Sequence, residues 1–346
     1  MTVERTDFGM TDDGRLASLY TITNDYARLT LTDLGATIVS LEVPDRDGVL
    51  RDVVWGYDGI EGYRSNRPSF GSTVGRNTNR IGGARFTLGD TVYELERNNG
   101  DNNIHSGSDR YKHRIWRADF DPEGCGVSFR LMSPHMDQGF PGNAIITVTI
   151  SLFDTILSIT YHAVADMDTV FNMTNHSYFN LDGQQGTDIM SHTLRVNADS
   201  FTPCDAGLLP TGEIRPVDGT PFDFRIARSL GQDISSDDGQ VSYAGGYDHN
   251  LVLGNPGEYG EVAELRSDAS GIGMFIATTL PGMQVYTANS LDEDGAKGGV
   301  HRGRHSAVCL ETQHFPDAVN RKEFPSPVVK VGEPYDAITE YTFFNF

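Results

Sequence analysis

"AIITVTISLFDTILSITYHAVA", residues 144–165, reads as two strands and a turn. In its first half Ile146, Val148, Ile150 and Leu152 fall on one side of an extended chain and Ile145, Thr147, Thr149 and Ser151 on the other, because successive side chains of a strand point to opposite faces. The "FDT" that follows is turn-like. Leu157, Ile159 and Tyr161 then return on a common face, which predicts a β-hairpin. Outward from this hairpin, comparable short runs recur at "ARLTLT", "ATIVSLEVPD", "GVSFRLMS", "GMFIATTL", "MQVYTAN" and "SAVCLETQ", most of them interrupted by Gly, Asn, Asp or Pro. No window of about 12 residues carries the i, i+3, i+4, i+7 apolar stripe of a capped helix. An all-β sandwich or barrel is the consequence. Glycine supports it: 38 of 346 residues, about 11% against a typical 7%, points to many tight turns. No linker, charge block, low-complexity segment or repeat marks a boundary, so residues 1–346 are expected to form one domain.

The formal net charge of −21 would repel phosphate backbones and anionic lipid surfaces, so nucleic acid and membrane partners are not expected. Such acidity serves solubility first, and it suits a neutral or cationic small-molecule substrate better than a polyanion. Three scattered cysteines, Cys125, Cys204 and Cys309, fit neither a disulfide framework nor a CxxC metal site and indicate a reducing compartment. The opening "MTVERTDFGMTDDGR" lacks a signal-peptide pattern and no stretch approaches 18 apolar residues, so the expected location is cytoplasmic. The sequence leaves monomer or homodimer open.

No cofactor signature is present: neither GxGxxG after a strand, GxxxxGK[ST], HExxH nor EF-hand spacing occurs. The prominent histidines are not at ligand spacing, and "HRGRH" (301–305) carries arginines that oppose a cation, so no metal is expected. Two segments could carry acid–base chemistry. In "NMTNHSYFNLDG" (172–183), a strand over "TNHSYFN" would place His176, Tyr178 and Asn180 on one face and Asn175, Ser177 and Phe179 on the other. An imidazole among neutral donors and acceptors suits sugar hydroxyls, which both donate and accept; a half-buried histidine satisfied by backbone is the plainer reading. In "SAVCLETQHFPDAVN" (306–320), Cys309, Glu311 and Gln313 would project one way and Val308, Leu310 and Thr312 the other. At its unperturbed pKa of about 4.3, Glu311 would be ionised at neutral pH and able to accept a proton. A carboxylate beside it would hold His176, unperturbed at about 6.5, more fully protonated. The polar knots "GRNTNRI" (75–81), "NNIHSG" (102–107) and "YDHN" (247–250) are each, alone, plausible turns. Long connections at 96–114 and 202–224 exceed simple hairpin turns and are of the kind that carries function.

Taken in order, "GRNTNRI", "NNIHSG", "GFPGN", "TNHSYFNLDG", "YDHNLVL", "GMQVYTAN" and "LETQHFPDAVN", with the closing "YTFFNF", resemble the aldose 1-epimerases, or galactose mutarotases, along nearly the whole chain. The resemblance implies a large antiparallel β-sandwich with an open sugar-binding cleft and catalysis without metal or organic cofactor. It implies that His176 is the general acid toward the ring oxygen and Glu311 the general base toward the C1 hydroxyl. The sugar would open to the aldehyde, rotate about C1 and reclose as either anomer. Asn79, Arg80, His105, Asp248 and Gln284 match family positions that hold sugar hydroxyls. One segment departs from the pattern: Ser106 stands where the family has a first glycine after its histidine, and the usual Gly-Phe gives way to "SDRYKHR", where Tyr111 is the stand-in. The preferred sugar is therefore not set by the resemblance. Three other readings compete: a glycoside hydrolase using Asp248 and Glu311 as its carboxylate pair, a non-catalytic sugar-binding protein, and a relative acting on phosphorylated hexoses, which would want a cluster of basic side chains and which the net charge argues against.

Overall fold

A computed structural model describes residues 2–120, 125–254 and 257–346. The hairpin forms as its alternation requires. Strands Ala144–Phe153 and Ile156–Ala165 pair antiparallel from Ala144↔Ala165 to Phe153↔Ile156. Ile146, Val148, Ile150, Leu152 and Leu157 are wholly buried, whereas Ile145 faces solvent.

This hairpin lies within a nine-stranded sheet ordered Arg117–Phe120, Gly126–Ser133, Ala144–Phe153, Ile156–Ala165, Tyr335–Asn345, Ile272–Thr278, Gly260–Ser267, Thr193–Val196 and Arg228–Ser229. The last long strand of the chain, Tyr335–Asn345, sits between Ile156–Ala165 and Ile272–Thr278. Its burial alternates in step with both neighbours, so Tyr341 and Phe343 reach the core while Thr342 does not. A five-stranded meander from Thr2–Met10 to Leu50–Asp52 forms a second sheet. A third runs in the order Arg215–Pro216, Ser200–Thr202, Asp248–Val252, Gly282–Tyr286, Cys309–Gln313.

All of these ladders are antiparallel. One continuous core joins them, with Leu29, Leu31 and Ile38 from the meander meeting Val148, Ile159, Met283 and Leu310. The architecture is the expected all-β sandwich. Among the described residues the α-helices are two of six residues each, Ile60–Ser65 and Gly239–Ala244, and no helix is long and apolar enough to cross a membrane.

One local expectation is corrected. Residues 174–180 do not form a regular strand: pairing beyond Thr174–Asn175 reduces to isolated bridges at Phe179. The segment is instead laced to three neighbours, with His176 N donating to Ser72 O (2.9 Å), Phe179 N to Val308 O (2.8 Å) and Asn180 N to Val53 O (3.0 Å). A short polar side chain takes up a backbone carbonyl, Asn175 Nδ2 donating to Gly71 O (2.8 Å), and Ser177 Oγ holds that amide in place by donating to Asn175 Oδ1 (2.6 Å). His176 and Tyr178 still share a side, their rings stacked 5.1 Å apart. Asn180 turns away to Ser306 O (2.9 Å) and serves the scaffold.

Candidate active site

In antiparallel pairs directly opposed residues share a face. The third sheet pairs Tyr286 with both Asp248 and Cys309, and Gln284 with both Asn250 and Glu311. Two neighbouring rows of one face therefore carry Asp248, Tyr286 and Cys309, and Asn250, Gln284 and Glu311. The laced segment brings His176 over this face. Its Nε2 lies 3.7 Å from Glu311 Oε1, and its Nδ1 lies 3.6 Å from Cys309 Sγ. All three side chains are buried.

A cleft of about 420 Å³ opens above them. Asn79, Arg80, His105, Asp248, His176 and Glu311 all line it, so six of the seven residues singled out from sequence converge on one cavity. Gln284, the seventh, is buried and absent from the lining; its Nε2 donates to Asp248 Oδ1 at 2.6 Å. Arg80 spans the other flank, donating from Nε to Asn99 Oδ1 (3.0 Å) with Nη1 4.0 Å from Asp248 Oδ2. His105 stands edge-on to His176 at 5.5 Å. Its Nδ1 accepts from Asn79 N (3.2 Å), which leaves the proton on Nε2. Asn98, Asn99, Tyr178, Tyr286, Asn289 and Ser290 complete much of the polar wall. Isolated asparagines and tyrosines gave no sequence signal of this role; the length of the 96–114 connection, which supplies Asn98, Asn99, His105 and Arg110, was the available hint.

The departure from the family pattern resolves locally. Ser106 adopts φ 64°, a conformation glycine would hold more easily, and its Oγ accepts from Asn77 N (2.9 Å) and donates to Asn77 O (3.0 Å). Tyr111 is buried with its hydroxyl on Ser133 Oγ (3.0 Å), outside the cleft, and Arg110 beside it is the side chain that lines the cavity.

The ionisation expected from unperturbed values is overturned. Burial pushes the Glu311 carboxyl well up, with the charge of Asp248 adding to the shift. Burial brings His176 down to about 3, aided by the positive charges of Arg110 and Lys112. Both directions favour the neutral forms, because a low-dielectric site penalises charge. The proton count of the pair is nevertheless unchanged. Neutral imidazole with protonated carboxyl holds one proton, as imidazolium with carboxylate does. Asp248 is also raised by burial, opposed by Arg80 and the Gln284 hydrogen bond. Among the described residues Glu311 Oε2 finds no hydrogen-bond partner, which leaves one oxygen of a cleft-lining carboxyl for a hydroxyl group.

Among the described residues one group of donors is close enough to share a metal ion, and it is this same trio, His176, Cys309 and Glu311, with ligand atoms within 4.8 Å of one another. Burial raises the Cys309 thiol and the Glu311 carboxyl alike, so metal binding would have to displace a proton from each.

An imidazole and a carboxyl group sharing one proton, buried beneath a ring of hydroxyl-matching side chains in an antiparallel β-sandwich, define an acid–base enzyme for a polyhydroxylated substrate. Comparison with known proteins gives the lineage. The aldose 1-epimerase family model matches residues 18–342. A galactose mutarotase from Bos taurus is 40% identical over 325 residues, 94% of this chain and 93% of that protein. An aldose 1-epimerase from Escherichia coli is 35% identical, covering 96% of each. The crystal structure of an aldose epimerase homologue from C. elegans superposes with a TM-score of 0.88 at 30% identity, over 95% of this chain and 99% of that one. The chain belongs to the aldose 1-epimerase family, and it is an isomerase that interconverts sugar anomers.

Proposed function

We propose that this enzyme interconverts the α and β anomers of a hexopyranose such as D-galactose or D-glucose, using His176 and Glu311 as its proton-transfer pair. The observation that carries the reading is the 3.7 Å separation of His176 Nε2 and Glu311 Oε1 inside a buried polar cleft. Ring opening needs one proton delivered to the ring oxygen and one removed from the C1 hydroxyl, two atoms bonded to the same carbon. Both roles belong to the imidazolium–carboxylate form of the pair, reached when Glu311 passes its proton to His176 Nε2; His176 then delivers that proton to the ring oxygen and Glu311 takes the one from the C1 hydroxyl. The aldehyde rotates and recloses with the proton returning by the same two groups. The pair needs one proton in all, which is the count that its burial favours.

Asp248, Arg80, Asn79 and His105 hold the remaining hydroxyls, and Gln284 acts behind them as a positioning residue by fixing the Asp248 carboxylate. Cys309 is a second positioning residue. For Nε2 of the neutral imidazole to take the Glu311 proton, Nδ1 must carry the ring's own proton, and Cys309 Sγ, 3.6 Å away, is placed to accept from it.

The chain from 1 to 346 acts as one domain on a free monosaccharide in the cytoplasm, without nucleic acid or membrane partners. A hydrolase would set two carboxylates across a glycosidic bond, whereas here Glu311 faces an imidazole. The test is polarimetry of freshly dissolved α-D-galactose and α-D-glucose: the purified chain speeds the approach to optical equilibrium, and a rate equal to buffer alone for every sugar tried rejects the assignment.

A further inference from the structure

Five buried polar atoms of four residues on one face of the third sheet find no hydrogen-bond partner among the described residues: Asn250 Oδ1, Gln284 Oε1, Glu311 Oε2, and Gln313 Oε1 and Nε2. Register places them together. Asn250, Gln284 and Glu311 form one row across the sheet, and Gln313, two residues beyond Glu311 on the same face, pairs with Gly282 in the next row. Gly282 leaves its place in that row to a neighbour. A Cβ there would lie 2.3 Å from Asn250 Oδ1, so the Asn250 carbonyl leans over the glycine in the direction of the strand that carries Gln313.

Gln313 is wholly buried and both polar atoms of its amide are unpaired, so turning the amide over does not remove the deficit. A buried polar group without a partner is costly, and folded proteins rarely keep one without a bridging water, an ion or a role in chemistry. The mixture of groups selects among these. Gln313 Nε2 needs an acceptor, whereas the oxygens of Asn250, Gln284 and Glu311 need donors. A cation would satisfy the oxygens and oppose the amide nitrogen. Water accepts and donates, and a buried water typically makes about three such bonds. Spacing agrees: two rises of a strand separate Glu311 from Gln313 by about 6.7 Å at the backbone, and two hydrogen bonds through one water span about 5 Å.

A donor at Oε2 matters to the reaction. Before the sugar reacts, the pair must pass from its neutral form to imidazolium and carboxylate, and burial opposes that passage. A hydrogen bond donated to the carboxylate favours the charged form. Oε2 has two acceptor positions, one for the C1 hydroxyl and one for a donor arriving from the side of Gln313.

We propose that Gln313 is a positioning residue of this enzyme: together with Asn250 and Gln284 it holds a buried water that donates to Oε2 of Glu311. The water steadies the carboxylate as it forms. It also fixes the Gln284 amide, whose Nε2 holds Asp248 Oδ1 at 2.6 Å. The proposal rests on the acid–base assignment above and adds to it the group that makes the charged form of the pair accessible.

A crystal structure of the full chain should show a water within hydrogen-bond distance of both Gln313 and Glu311 Oε2. Direct bonding among the amides and the carboxyl, or a cation in their midst, overturns the proposal. Gln313→Met keeps the length of the side chain and removes both polar groups. In polarimetry of α-D-galactose it should lower kcat roughly ten- to a hundredfold, the scale of one hydrogen bond to a charged group, with KM nearly unchanged. The infrared carboxyl band of Glu311, identified by its loss in Glu311→Gln, should move to higher frequency in Gln313→Met as its hydrogen bonding weakens. An unaltered kcat overturns the proposal, as do equal changes in kcat and KM with the band unmoved, which show packing alone. If Gln313→Met does not fold, the crystal structure of the unaltered chain still decides. Acceleration of galactose without the water leaves the epimerase reading intact and removes this one; no acceleration of any sugar tried defeats both.

Discussion

Replacing Glu311 by glutamine keeps the side chain's shape and removes its capacity to take a proton. The carboxyl is 3% exposed and sits 3.7 Å from His176 Nε2, with Oε2 free of protein donors. The amide would leave one acceptor and set two donors where the C1 hydroxyl must give up its proton. General base catalysis of this kind is worth about 10²–10⁴ in rate, or roughly 2.7–5.4 kcal/mol of barrier, so kcat for α-D-galactose in polarimetry should fall by that factor.

The same substitution has a stability signature of fixed sign. The folded pKa of Glu311 is raised above its ordinary 4.5. Below 4.5 both folded and unfolded chains hold the proton. Above it the unfolded chain releases the proton while the folded one keeps it, so the native state loses about 1.4 kcal/mol per pH unit until the folded pKa is reached. Glutamine has no such slope. Chemical denaturation should therefore find Glu311→Gln more stable than the unaltered protein near pH 8, by a margin that shrinks as the pH approaches 4.5. A variant that keeps kcat within tenfold would refute the base assignment. A stability difference independent of pH would refute the burial argument.

Further outcomes follow from the same geometry. Selective ¹⁵N NMR of His176 should show a neutral imidazole with its proton on Nδ1 through pH 5, since burial brings its pKa down to about 3; titration near 6.5 would contradict this. Cys309→Ser retains an acceptor toward His176 Nδ1 and should keep most of kcat, while Cys309→Ala should lower kcat about tenfold at little change in KM and shift the tautomer signal; equal losses in both would show a packing effect alone. Asp248→Asn should raise KM by roughly tenfold or more, the scale of one charged hydrogen bond, and unaltered saturation curves would remove Asp248 from the sugar's contacts. Lys112, buried and brought down to about 7, binds fewer protons folded than unfolded between pH 7 and 10.5, so it makes stability rise with pH across that window. Lys112→Gln should flatten that rise in denaturant titrations, and an unchanged slope would place the lysine in water.

The strands were legible because alternation is a local property. Ile146, Val148, Ile150 and Leu152 announce a buried face whatever sheet they join, and the motifs around His176 and Glu311 carried the resemblance to the family. The same locality misled at 174–180, where the Asn175 side chain, held by Ser177, takes a backbone carbonyl and the segment's own amides reach three different neighbours. Gln284 shows a different limit. Its place on the strand was readable, but its amide is turned onto Asp248, a contact 36 residues away that only packing specifies.

By itself the sequence determined an all-β chain of the aldose 1-epimerase family with one histidine and one glutamate as the prime acid–base candidates. Tertiary structure alone decided that His176 meets Cys309, 133 residues distant, and Glu311 beyond it, that burial drives the pair toward its neutral forms, and that Arg110 reaches the cleft. The reason is physical: a pattern of side chains fixes which face each residue takes, whereas a proton's affinity depends on the water excluded and the charges gathered around it, and both are set by parts of the chain remote in sequence.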